Sequence, residues 1–337
     1  MKKTSKPLKI LVTGGIGFIG THLINELVRR YKNPQIDVVD NLSNSSFRKE
    51  RKIFFKRHGI VFYETSVETF KSPKNRTYDL IFHLASPVGP AGVLKYAGRM
   101  GAMIVDDSLI MAHLALKNNA KLLSMSTSEV YGSHPEGGKP QQEDIPKIVP
   151  ANITIRLEYG VSKLLSEIVL LNLSKVRPLK LNLIRPFNII GPYQNGEAGF
   201  VVPRFVEAAL ANKPLTIFGD GKQKRTFTHV TDIVQPMVDL METNYTGKIY
   251  NIGNPGNLCS IQKLAERIVR LSGSKSKIKH VDPKKIYGPL YEEAWNKVAD
   301  PSRVIHDLKW KPRFSLDDIL KEYINFAKGK IDFLNPF

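Results

Sequence analysis

The sequence predicts an α/β fold, in which a doubly wound parallel sheet is covered by helices and followed by a smaller C-terminal lobe. Short runs rich in Ile, Leu and Val alternate with helix-length segments through the first two-thirds of the 337-residue chain. A glycine-rich turn at 13–20 follows the first of those runs. Apolar strands that are separated by helices are typical of a parallel sheet buried on both faces.

The individual elements follow from local patterns. Apolar residues recur at helical spacing from Leu23 to Val28, which predicts a helix over 21–31. The segment 133–150 is rich in proline and glycine, which predicts a long surface loop. Strands are predicted at 9–13, 36–40, 61–63, 79–84, 121–125, 179–185 and 248–252.

The net charge is unusual for a chain whose composition is otherwise ordinary. Lys and Arg number 50 against 31 Asp and Glu, which gives a formal net charge of +19. A surplus of that size predicts attraction to polyanions, such as nucleic acid, an anionic membrane or phosphorylated small molecules. The hydrophobic fraction of 42% excludes wholesale disorder.

Cysteine content and hydropathy predict a cytoplasmic protein. Cys259 is the only cysteine, which excludes an intramolecular disulfide and a cysteine-based zinc site and favours a reducing compartment. There is no apolar run of 18 residues, and the apolar run at 10–12 is too short for a signal peptide, so we expect no membrane insertion. The histidines show no metal-binding spacing, and His83 is expected to pack and hydrogen-bond at a strand end.

A glycine loop directly follows the first strand. Gly14, Gly17 and Gly20 form a G-x-x-G-x-x-G pattern where the first helix begins. Because glycine has no Cβ, backbone N–H groups can approach a pyrophosphate there, and the helix N-terminus adds positive potential. Asp40 ends the second strand, 20 residues after Gly20, where a carboxylate accepts hydrogen bonds from ribose and repels a 2′-phosphate. The pattern predicts a Rossmann-type sheet that binds NAD in preference to NADP.

A tyrosine, a lysine and a hydroxyl-rich strand end form the candidate catalytic group. Tyr159 and Lys163 are four residues apart, so on a helix both lie on one face. The pKa of a free tyrosine is about 10, and a neighbouring ammonium or an oxidised nicotinamide would lower it, which makes Tyr159 a candidate general base. Ser126 and Thr127 follow the fifth strand, and a hydroxyl at the carboxyl end of a parallel strand faces the ligand crevice.

These motifs continue in order along nearly the whole chain. They comprise the glycine loop, Asp40-Asn41, the segments 83–87 and 126–132, Tyr159 with Lys163, and the segments 185–192, 219–225 and 250–253. Together they resemble the nucleotide-sugar branch of the extended short-chain dehydrogenase/reductase family. The resemblance implies that Tyr159 takes the proton of the sugar C4 hydroxyl, that Thr127 hydrogen-bonds the same oxygen, and that the C4 hydride passes to NAD.

Within that branch, the residues after the catalytic threonine resemble those of UDP-glucuronate decarboxylases, including the UDP-xylose synthases. A 4,6-dehydratase carries an Asp directly after the threonine, where this chain has Ser128. The resemblance implies that Glu129 orients the sugar ring and the departing carboxylate, and that Arg225 meets the anionic part of the substrate. Oxidation at C4 makes a β-keto acid, which loses CO2 readily because the carbanion delocalises onto the ketone.

Several alternatives remain open at this point. A UDP-sugar 4-epimerase, acting on UDP-glucuronate or UDP-glucose, would use Tyr159, Thr127 and NAD in the same way, although epimerases usually lack the glutamate at 129. A non-catalytic NAD-bound binding protein is a third interpretation, against which the intact Tyr, Lys and Thr set argues. The sugar is glucuronate or a 2-acetamido uronate, and the product UDP-xylose or the 4-keto pentose.

The resemblance also implies ligand contacts. The cofactor would contact Gly14, Gly17, Phe18, Ile19, Gly20, Asp40, Asn41, Leu84, Ser86, Tyr159, Lys163 and Pro186. The UDP-sugar would contact Pro87, Glu129, Asn188, Arg204, Thr216, Ile217, Phe218, Arg225, Asn251, Tyr287 and Tyr291. Three positions depart from the family pattern: Ser66 replaces an Asp at adenine, Ser108 replaces an Asn, and Lys297 replaces an Arg that clamps the diphosphate.

Two domains and a homodimer complete the prediction. The NAD-binding Rossmann domain would span 1–187 and 226–252, and the nucleotide-sugar-binding lobe 188–225 and 253–337, because the strand pattern becomes irregular after Asn188. The family resemblance implies a homodimer through helices near 95–118 and 157–173. We expect no nucleic-acid partner, since no arginine-aromatic RNA-binding motif is visible.

Overall fold

A seven-stranded parallel sheet forms the centre of the protein in a computed structural model, which describes residues 6–43, 48–132, 139–149, 153–194, 196, 199–282, 284–287 and 296–329. The strands are β1 (Lys9–Thr13), β2 (Gln35–Asp40), β3 (Val61–Glu64), β4 (Leu80–His83), β5 (Lys121–Met125), β6 (Lys180–Pro186), β7 (Ile189–Ile190), β8 (Leu215–Phe218), β9 (Lys224–Thr226), β10 (Thr228–His229), β11 (Lys248–Ile252), β12 (Leu258–Ser260) and β13 (Ile278–Val281). The α-helices are α1 (Phe18–Arg30), α2 (Arg48–Arg57), α3 (Gly89–Lys95), α4 (Met100–Asn118), α5 (Ile155–Val176), α6 (Val201–Leu210), α7 (Val230–Glu242), α8 (Ile261–Ser272), α9 (Lys284–Tyr287), α10 (Ser302–Leu308) and α11 (Leu316–Ala327).

The strand order places a crevice at the centre of the sheet. The order is β11-β6-β5-β4-β1-β2-β3, and every neighbouring pair is parallel. From β1 the chain adds strands outward in one direction as far as β3, and it then returns to β4 and builds outward in the other direction. In such a doubly wound sheet, ligands bind outside the carboxyl ends of the strands at the point where the order reverses, here between β1 and β4.

Each predicted strand is present, with bounds that shift by at most one residue, and the predicted α/β fold is confirmed. The first helix begins at Phe18, three residues before the predicted start, since the last glycines of the loop already belong to its first turn or to its cap at Gly17. Of the loop predicted at 133–150, residues 139–149 contain no helix, and 133–138 and 150 lie outside the described residues.

Different helices cover the two faces of the sheet. On one face, Ile10 and Val12 of β1 join a buried cluster with Leu23 of α1 and Met237 of α7. On the other face, Leu11 joins a second cluster with side chains of α4 and α5. This alternation explains why the central strands read as continuous apolar runs, because both faces are buried.

A separate apolar cluster lies in the part of the chain that follows the sheet. It combines Phe205 of α6, Ile217 of β8, Leu264 of α8 and Leu320 of α11. β11 nevertheless returns to the edge of the central sheet, where it pairs with β6. The bounds of the two domains stay a prediction. In the part of the chain that the structure describes, no helix has both the length and the hydropathy needed to cross a bilayer.

A buried ion pair joins β6 to α5. Arg185 donates to both carboxylate oxygens of Glu167, at 2.8 and 2.5 Å, and both side chains are 2% exposed. The same guanidinium donates to the Tyr131 hydroxyl and to the Glu143 carbonyl oxygen. The Tyr131 hydroxyl in turn donates to Asn251 on β11. This network holds the strands and α5 in one arrangement behind the crevice.

We expect Glu167→Leu to lower the free energy of unfolding by about 3–5 kcal/mol, because it leaves the Arg185 guanidinium buried without its carboxylate. Adding Arg185→Met removes the uncompensated charge, so the double variant should recover part of that loss. Urea unfolding followed by circular dichroism measures both. As a control, Asp317→Asn should cost less than about 1 kcal/mol, since its partners Arg267 and Arg270 are exposed. A Glu167→Leu variant as stable as the wild type would contradict the assignment.

Candidate active site

Hydrogen bonds tie the carboxyl ends of β1 and β4 together at the crevice. Thr13 Oγ1 lies 2.8 Å from His83 Nδ1 and accepts from the backbone N–H groups of Leu84 and Ala85, each at 3.2 Å. His83 is fully buried, and burial together with the nearby Lys163 lowers its pKa to about 3. The imidazole is therefore neutral, and the prediction that His83 packs and hydrogen-bonds is confirmed.

The glycine loop lies against the segment that follows β4. The N–H of Gly14 donates to Val39 O at 2.8 Å, and its φ of +72° is one that L side chains rarely adopt. A Cβ at Gly14 would lie 2.8 Å from the backbone nitrogen of Ala85, and a Cβ at Gly20 would fall on the Gly14 carbonyl oxygen. Only glycine therefore fits at these two positions, and the loop packs closely on neighbouring backbone. A pyrophosphate site at the start of α1 requires such a loop without side chains.

Asp40 holds this loop in place. Its Oδ2 accepts from the Ile16 N–H at 3.0 Å, and its Oδ1 accepts from the Leu42 N–H at 2.8 Å. Arg51 of α2, which is buried, donates to the Ile16 carbonyl oxygen beside it. Burial raises the pKa of Asp40 although these bonds oppose the shift. The sequence predicted that Asp40 binds the ribose of the cofactor, and that contact stays a prediction. The structure adds a second role, in which Asp40 holds the glycine loop.

Tyr159 and Lys163 lie on one face of α5, as their spacing predicts. Thr154 caps this helix, because its hydroxyl accepts from the Leu157 N–H at 3.2 Å. The Tyr159 hydroxyl, which is buried, hydrogen-bonds with the side chain of Thr127. The Lys163 ammonium donates to Met125 O at the end of β5, at 2.9 Å. The structure therefore brings three of the predicted catalytic residues to the end of the same strand.

The pKa of Tyr159 is raised in this structure, whereas the sequence predicted that its neighbours lower it. Burial and then the charge of Glu129 raise the pKa of its hydroxyl, while the hydrogen bond with Thr127 lowers it. Lys163 contacts a carbonyl oxygen in place of the phenol, and burial lowers the pKa of its ammonium to about 8. An oxidised nicotinamide at contact distance would add the positive charge that favours the phenolate.

Two cations hold Glu129 at the edge of this group. Arg156 donates from Nε and Nη2 to the two carboxylate oxygens, at 2.9 and 3.0 Å. The Lys297 ammonium, which is 1% exposed, forms an ion pair with the same carboxylate. Burial alone would raise the pKa of Glu129, but Arg156 and Lys297 together hold it well below its ordinary value. Burial lowers the pKa of Lys297 to about 7, against the opposing charge of Glu129.

Sequence reasoning missed this arrangement in two ways. Arg156 was not selected, although it stands three residues before Tyr159 and hence on the same helical face. Lys297 was treated as the loss of a diphosphate clamp, whereas the structure places it on Glu129. The segment of Lys297 lies along β9, where its N–H donates to Lys224 O at 3.1 Å. That pairing joins residues far apart in the chain, so no local sequence pattern predicts it.

Residues predicted for the nucleotide lie on the segments after β6 and around β8. Arg225 is 6% exposed, so it is not part of a solvated lysine cluster, and its Nη1 donates to Lys224 O at 2.9 Å. Asn188 donates to Thr226 O at 3.0 Å. Arg204 donates to Thr216 O at 3.1 Å and lies over the Phe218 ring, with 4.3 Å to its centroid. Ile217, between them, points into the buried cluster of the second lobe.

The other predicted contacts fall into three groups. Leu84, Ser86 and Pro87 follow β4, while Pro186 ends β6, so all four lie at the carboxyl edge of the sheet. Asn251 is fully buried, and its side-chain amide forms hydrogen bonds with Tyr131 and Gln141, which indicates a structural role. Its contact with the substrate stays a prediction. Phe18 and Ile19 open α1, Asn41 follows β2, Tyr287 ends α9, and Tyr291 lies outside the described residues.

The two serine departures lie in hydrogen-bonded surroundings. Ser108 is buried, donates to Ile104 O at 2.7 Å within α4, and accepts from Ser166 of α5 at 2.7 Å. Ser66 Oγ lies 2.7 Å from Thr69 Oγ1 in the turn after β3. Ser108 therefore helps to join the two helices that cover one face of the sheet.

Comparison with known proteins adds a family to this geometry. The model of the NAD dependent epimerase/dehydratase family matches residues 10–253. The chain belongs to this family. Its glycine loop, the end of β2 and the Tyr159–Lys163 pair all lie within the matched region. The loop fits a dinucleotide in its chemistry, because it presents side-chain-free backbone at the start of α1. NAD is therefore the cofactor, and its contacts with the loop and the adjoining strand ends stay a prediction.

Members of the family with known activities match most of the chain. A UDP-N-acetyl-alpha-D-glucosaminuronate decarboxylase of Bacillus cytotoxicus is 33% identical over 95% of this chain and 98% of its own length. UDP-glucuronic acid decarboxylase 1 of Arabidopsis thaliana is 30% identical over 97% of this chain and 71% of its own. A crystal structure of Thermotoga maritima UDP-glucose 4-epimerase with UDP-glucose superposes with a TM-score of 0.81 at 26% identity, covering 96% of this chain and 100% of that one.

We expect Gly14→Ala to weaken NAD binding at least about 10-fold, because the new Cβ strains the loop and collides with the Ala85 backbone. Isothermal titration with NAD measures the change. Gly273→Ala is a matched control: its φ of +69° is similar, but nothing lies within 4 Å of the Cβ position, at the end of α8. The control should lose about 1 kcal/mol of stability and keep its NAD affinity. Equal NAD affinity in both variants would show that the close approach of Gly14 to Ala85 does not contribute to NAD binding.

Proposed function

We propose that the protein is an NAD-dependent decarboxylase of a UDP-linked uronate, either UDP-glucuronate or its 2-acetamido counterpart. The observation that carries this proposal is the cluster of Glu129, Arg156 and Lys297 directly beside Thr127 and Tyr159. The groups that would deprotonate a sugar hydroxyl thereby lie beside a carboxylate that two cations hold in place and that can orient the sugar ring. The two decarboxylase relatives described above support the same choice.

The residues can carry out the reaction as follows. When bound, NAD supplies the hydride acceptor for oxidation at C4. Tyr159 accepts the proton of the C4 hydroxyl, while Thr127 holds the same oxygen in place. The 4-keto acid then loses CO2: the electron pair of the C5–C6 bond moves toward the C4 carbonyl, and a proton subsequently adds to C5. Glu129 holds the ring so that the carboxyl group is aligned for that cleavage, which orientation alone can accelerate strongly.

Arg225 and Lys163 serve the ends of the substrate and cofactor in this proposal. The planar fork of Arg225 suits the diphosphate or the carboxylate of the substrate. Lys163, anchored on Met125 O, holds the ribose next to the nicotinamide and adds positive charge near Tyr159. Asn188, Arg204 and Phe218 would follow the diphosphate and uracil, on the side of the second lobe. From UDP-glucuronate the product is UDP-xylose when the C4 ketone is reduced again, or the 4-keto pentose when it is released; the 2-acetamido substrate gives the corresponding 2-acetamido pentoses.

A UDP-sugar 4-epimerase is the second candidate. The Thermotoga maritima epimerase structure has the same fold over 96% of this chain, and the same first step would use Tyr159, Thr127 and NAD. The two activities differ in mass balance, because an epimerase releases no CO2. The presence of Glu129 favours decarboxylation, since epimerases of the family usually lack a glutamate at this position.

Incubation of the pure protein with NAD and either UDP-glucuronate or its 2-acetamido analogue should release one CO2 per sugar, detected by 13C NMR of substrate labelled at C6. Tyr159→Phe should abolish turnover, because the phenol has no replacement as base. Tyr245→Phe, a partly exposed surface tyrosine, serves as the control and should keep full activity. Conversion to the C4 epimer with no CO2 would replace this proposal by the epimerase, and an active Tyr159→Phe would refute the mechanism.

We also propose a homodimer through α4 and α5. Val161, Leu165 and Ile168 form an apolar stripe on the outer side of α5, with 38%, 46% and 47% exposure. Their spacing of four and three residues places them on one face, and burial against a second copy would remove that surface from water. A cytoplasmic location stays part of the proposal, on the basis of the single cysteine.

We expect Leu165→Glu to convert the dimer to a monomer, since a carboxylate in the centre of an apolar interface loses its hydration without a partner. Analytical ultracentrifugation measures the mass in solution. Ile305→Glu is a control of similar exposure, 41%, on α10. It should sediment like the wild type. A Leu165→Glu variant that remains dimeric would place the interface elsewhere, and a monomeric wild type would remove it.

A further inference from the structure

Arg156, Tyr159 and Lys163 form one line along α5. They follow each other at spacings of three and four residues and so share a helical face. Tyr159 and Lys163 have assigned parts in the chemistry, whereas Arg156 has none in the reaction proposed above. Its two N–H groups meet both oxygens of Glu129 in the parallel fork geometry that gives an arginine–carboxylate pair its directional strength.

Glu129 is connected through its backbone to the catalytic hydroxyls. Its N–H donates to Thr127 Oγ1 at 3.2 Å, and the same Thr127 side chain hydrogen-bonds with Tyr159. A Cβ at Gly160 would lie 3.0 Å from Glu129 O, so α5 packs closely on the turn that carries Glu129. The position of the Glu129 side chain is therefore determined from α5, and Arg156 is the group of α5 that holds its carboxylate.

We propose that Arg156 is a positioning residue for the decarboxylation step, which fixes the Glu129 carboxylate in its ionised form and in one orientation beside the sugar. This inference rests on the proposed function and deepens it. Lys297 cannot replace Arg156 in that role, because a single ammonium fixes a distance but not the plane of a carboxylate. The two parallel hydrogen bonds from Arg156 keep the Glu129 carboxylate in one place, where it can orient the sugar. They also keep that carboxylate from moving toward Tyr159.

The surroundings of Glu129 predict a pH signature. Its charged and titratable neighbours are Arg156 and Tyr159 from α5, Lys297 from the segment along β9 and, next to Lys297, Arg225 of β9. Arg156 and Lys297 both lower the pKa of Glu129, against burial. Removal of Arg156 deletes one of these two effects, so the pKa of Glu129 rises. Activity that needs the ionised carboxylate is then lost at a higher pH on the acid side.

The test compares Arg156→Met, Arg156→Lys and the wild type with NAD and a UDP-uronate. Rapid-quench assays follow CO2, and absorbance at 340 nm follows oxidation at C4. We expect Arg156→Met to slow CO2 release about 100-fold, a size typical of a misplaced reactive group, and to slow C4 oxidation much less. The acid limb of the pH profile should move upward. Arg156→Lys should bring the acid limb of the pH profile back toward that of the wild type more than it restores the rate of CO2 release. Lysine keeps the positive charge but cannot form the two parallel hydrogen bonds of arginine.

Arg29→Met is a matched control, because Arg29 makes the same fork to Glu26, at 2.9 and 3.0 Å, on the surface of α1. It should leave both steps and the pH profile unchanged. Should Arg156→Met not fold, as thermal unfolding would reveal, the pH profile and rate of Arg156→Lys decide the question. The proposal is overturned when CO2 release and C4 oxidation fall in equal proportion with an unmoved acid limb, which indicates a purely structural role.

The failure of this inference is distinguishable from failure of the proposed function. A wild type that consumes UDP-uronate without releasing CO2 overturns both. A wild type that releases CO2, together with an Arg156→Met variant of equal rate and equal pH profile, overturns the positioning role alone.

Discussion

The close approach of the glycine loop to the segment after β4 is the constraint on which the site depends. At the reversal point of the sheet, Thr13 accepts N–H groups from Leu84 and Ala85, and Gly14 leaves no room for a side chain between the two strand ends. The ends of β1 and β4 are thereby fixed relative to each other. β5 pairs directly with β4, so the hydroxyls after Met125 reach the crevice at a fixed distance from the loop. Cofactor and catalytic groups are thus positioned by one hydrogen-bonded framework.

The strands and the Tyr159–Lys163 pair were predicted well because their signals are local, whereas the contacts of Thr13 and Gly14 with the segment after β4 were not predicted. Buried parallel strands are apolar on both faces, and this property can be read from a few consecutive residues, as in β5 and β11. The Tyr159–Lys163 pair was likewise predictable, since four residues on a helix always share a face. The start of α1 was misplaced by three residues for an equally local reason: glycine and phenylalanine at 17 and 18 carry no helical periodicity, although the backbone already turns there.

The charged part of the site was much less predictable, because it joins elements that lie far apart in the chain. Glu129 follows β5, Arg156 lies in the first turn of α5, and Lys297 comes from the far end of the sequence and lies along β9. Family resemblance pointed to Glu129 and marked Lys297 as a departure, but neither spacing nor composition indicates that the two side chains meet. Asp40 shows the converse difficulty. Its position at the end of β2 suggested a ligand contact, whereas Oδ2 also secures the loop through Ile16 and Oδ1 accepts from Leu42 in the segment after β2.

Burial gives the charges of the site a meaning that the net charge of +19 does not have. Surface lysines are hydrated, and their mutual repulsion is screened by salt, so a large total says little about any one ligand. Arg156 and Lys297 instead share a single carboxylate, that of Glu129, and both Lys297 and the neighbouring Arg225 are nearly inaccessible to water. Buried cations lose hydration, and an ion-paired carboxylate offsets that loss. In the proposed function an anionic sugar nucleotide binds next to these cations, which relates the electrostatics of the site to the proposed uronate more directly than the overall charge does.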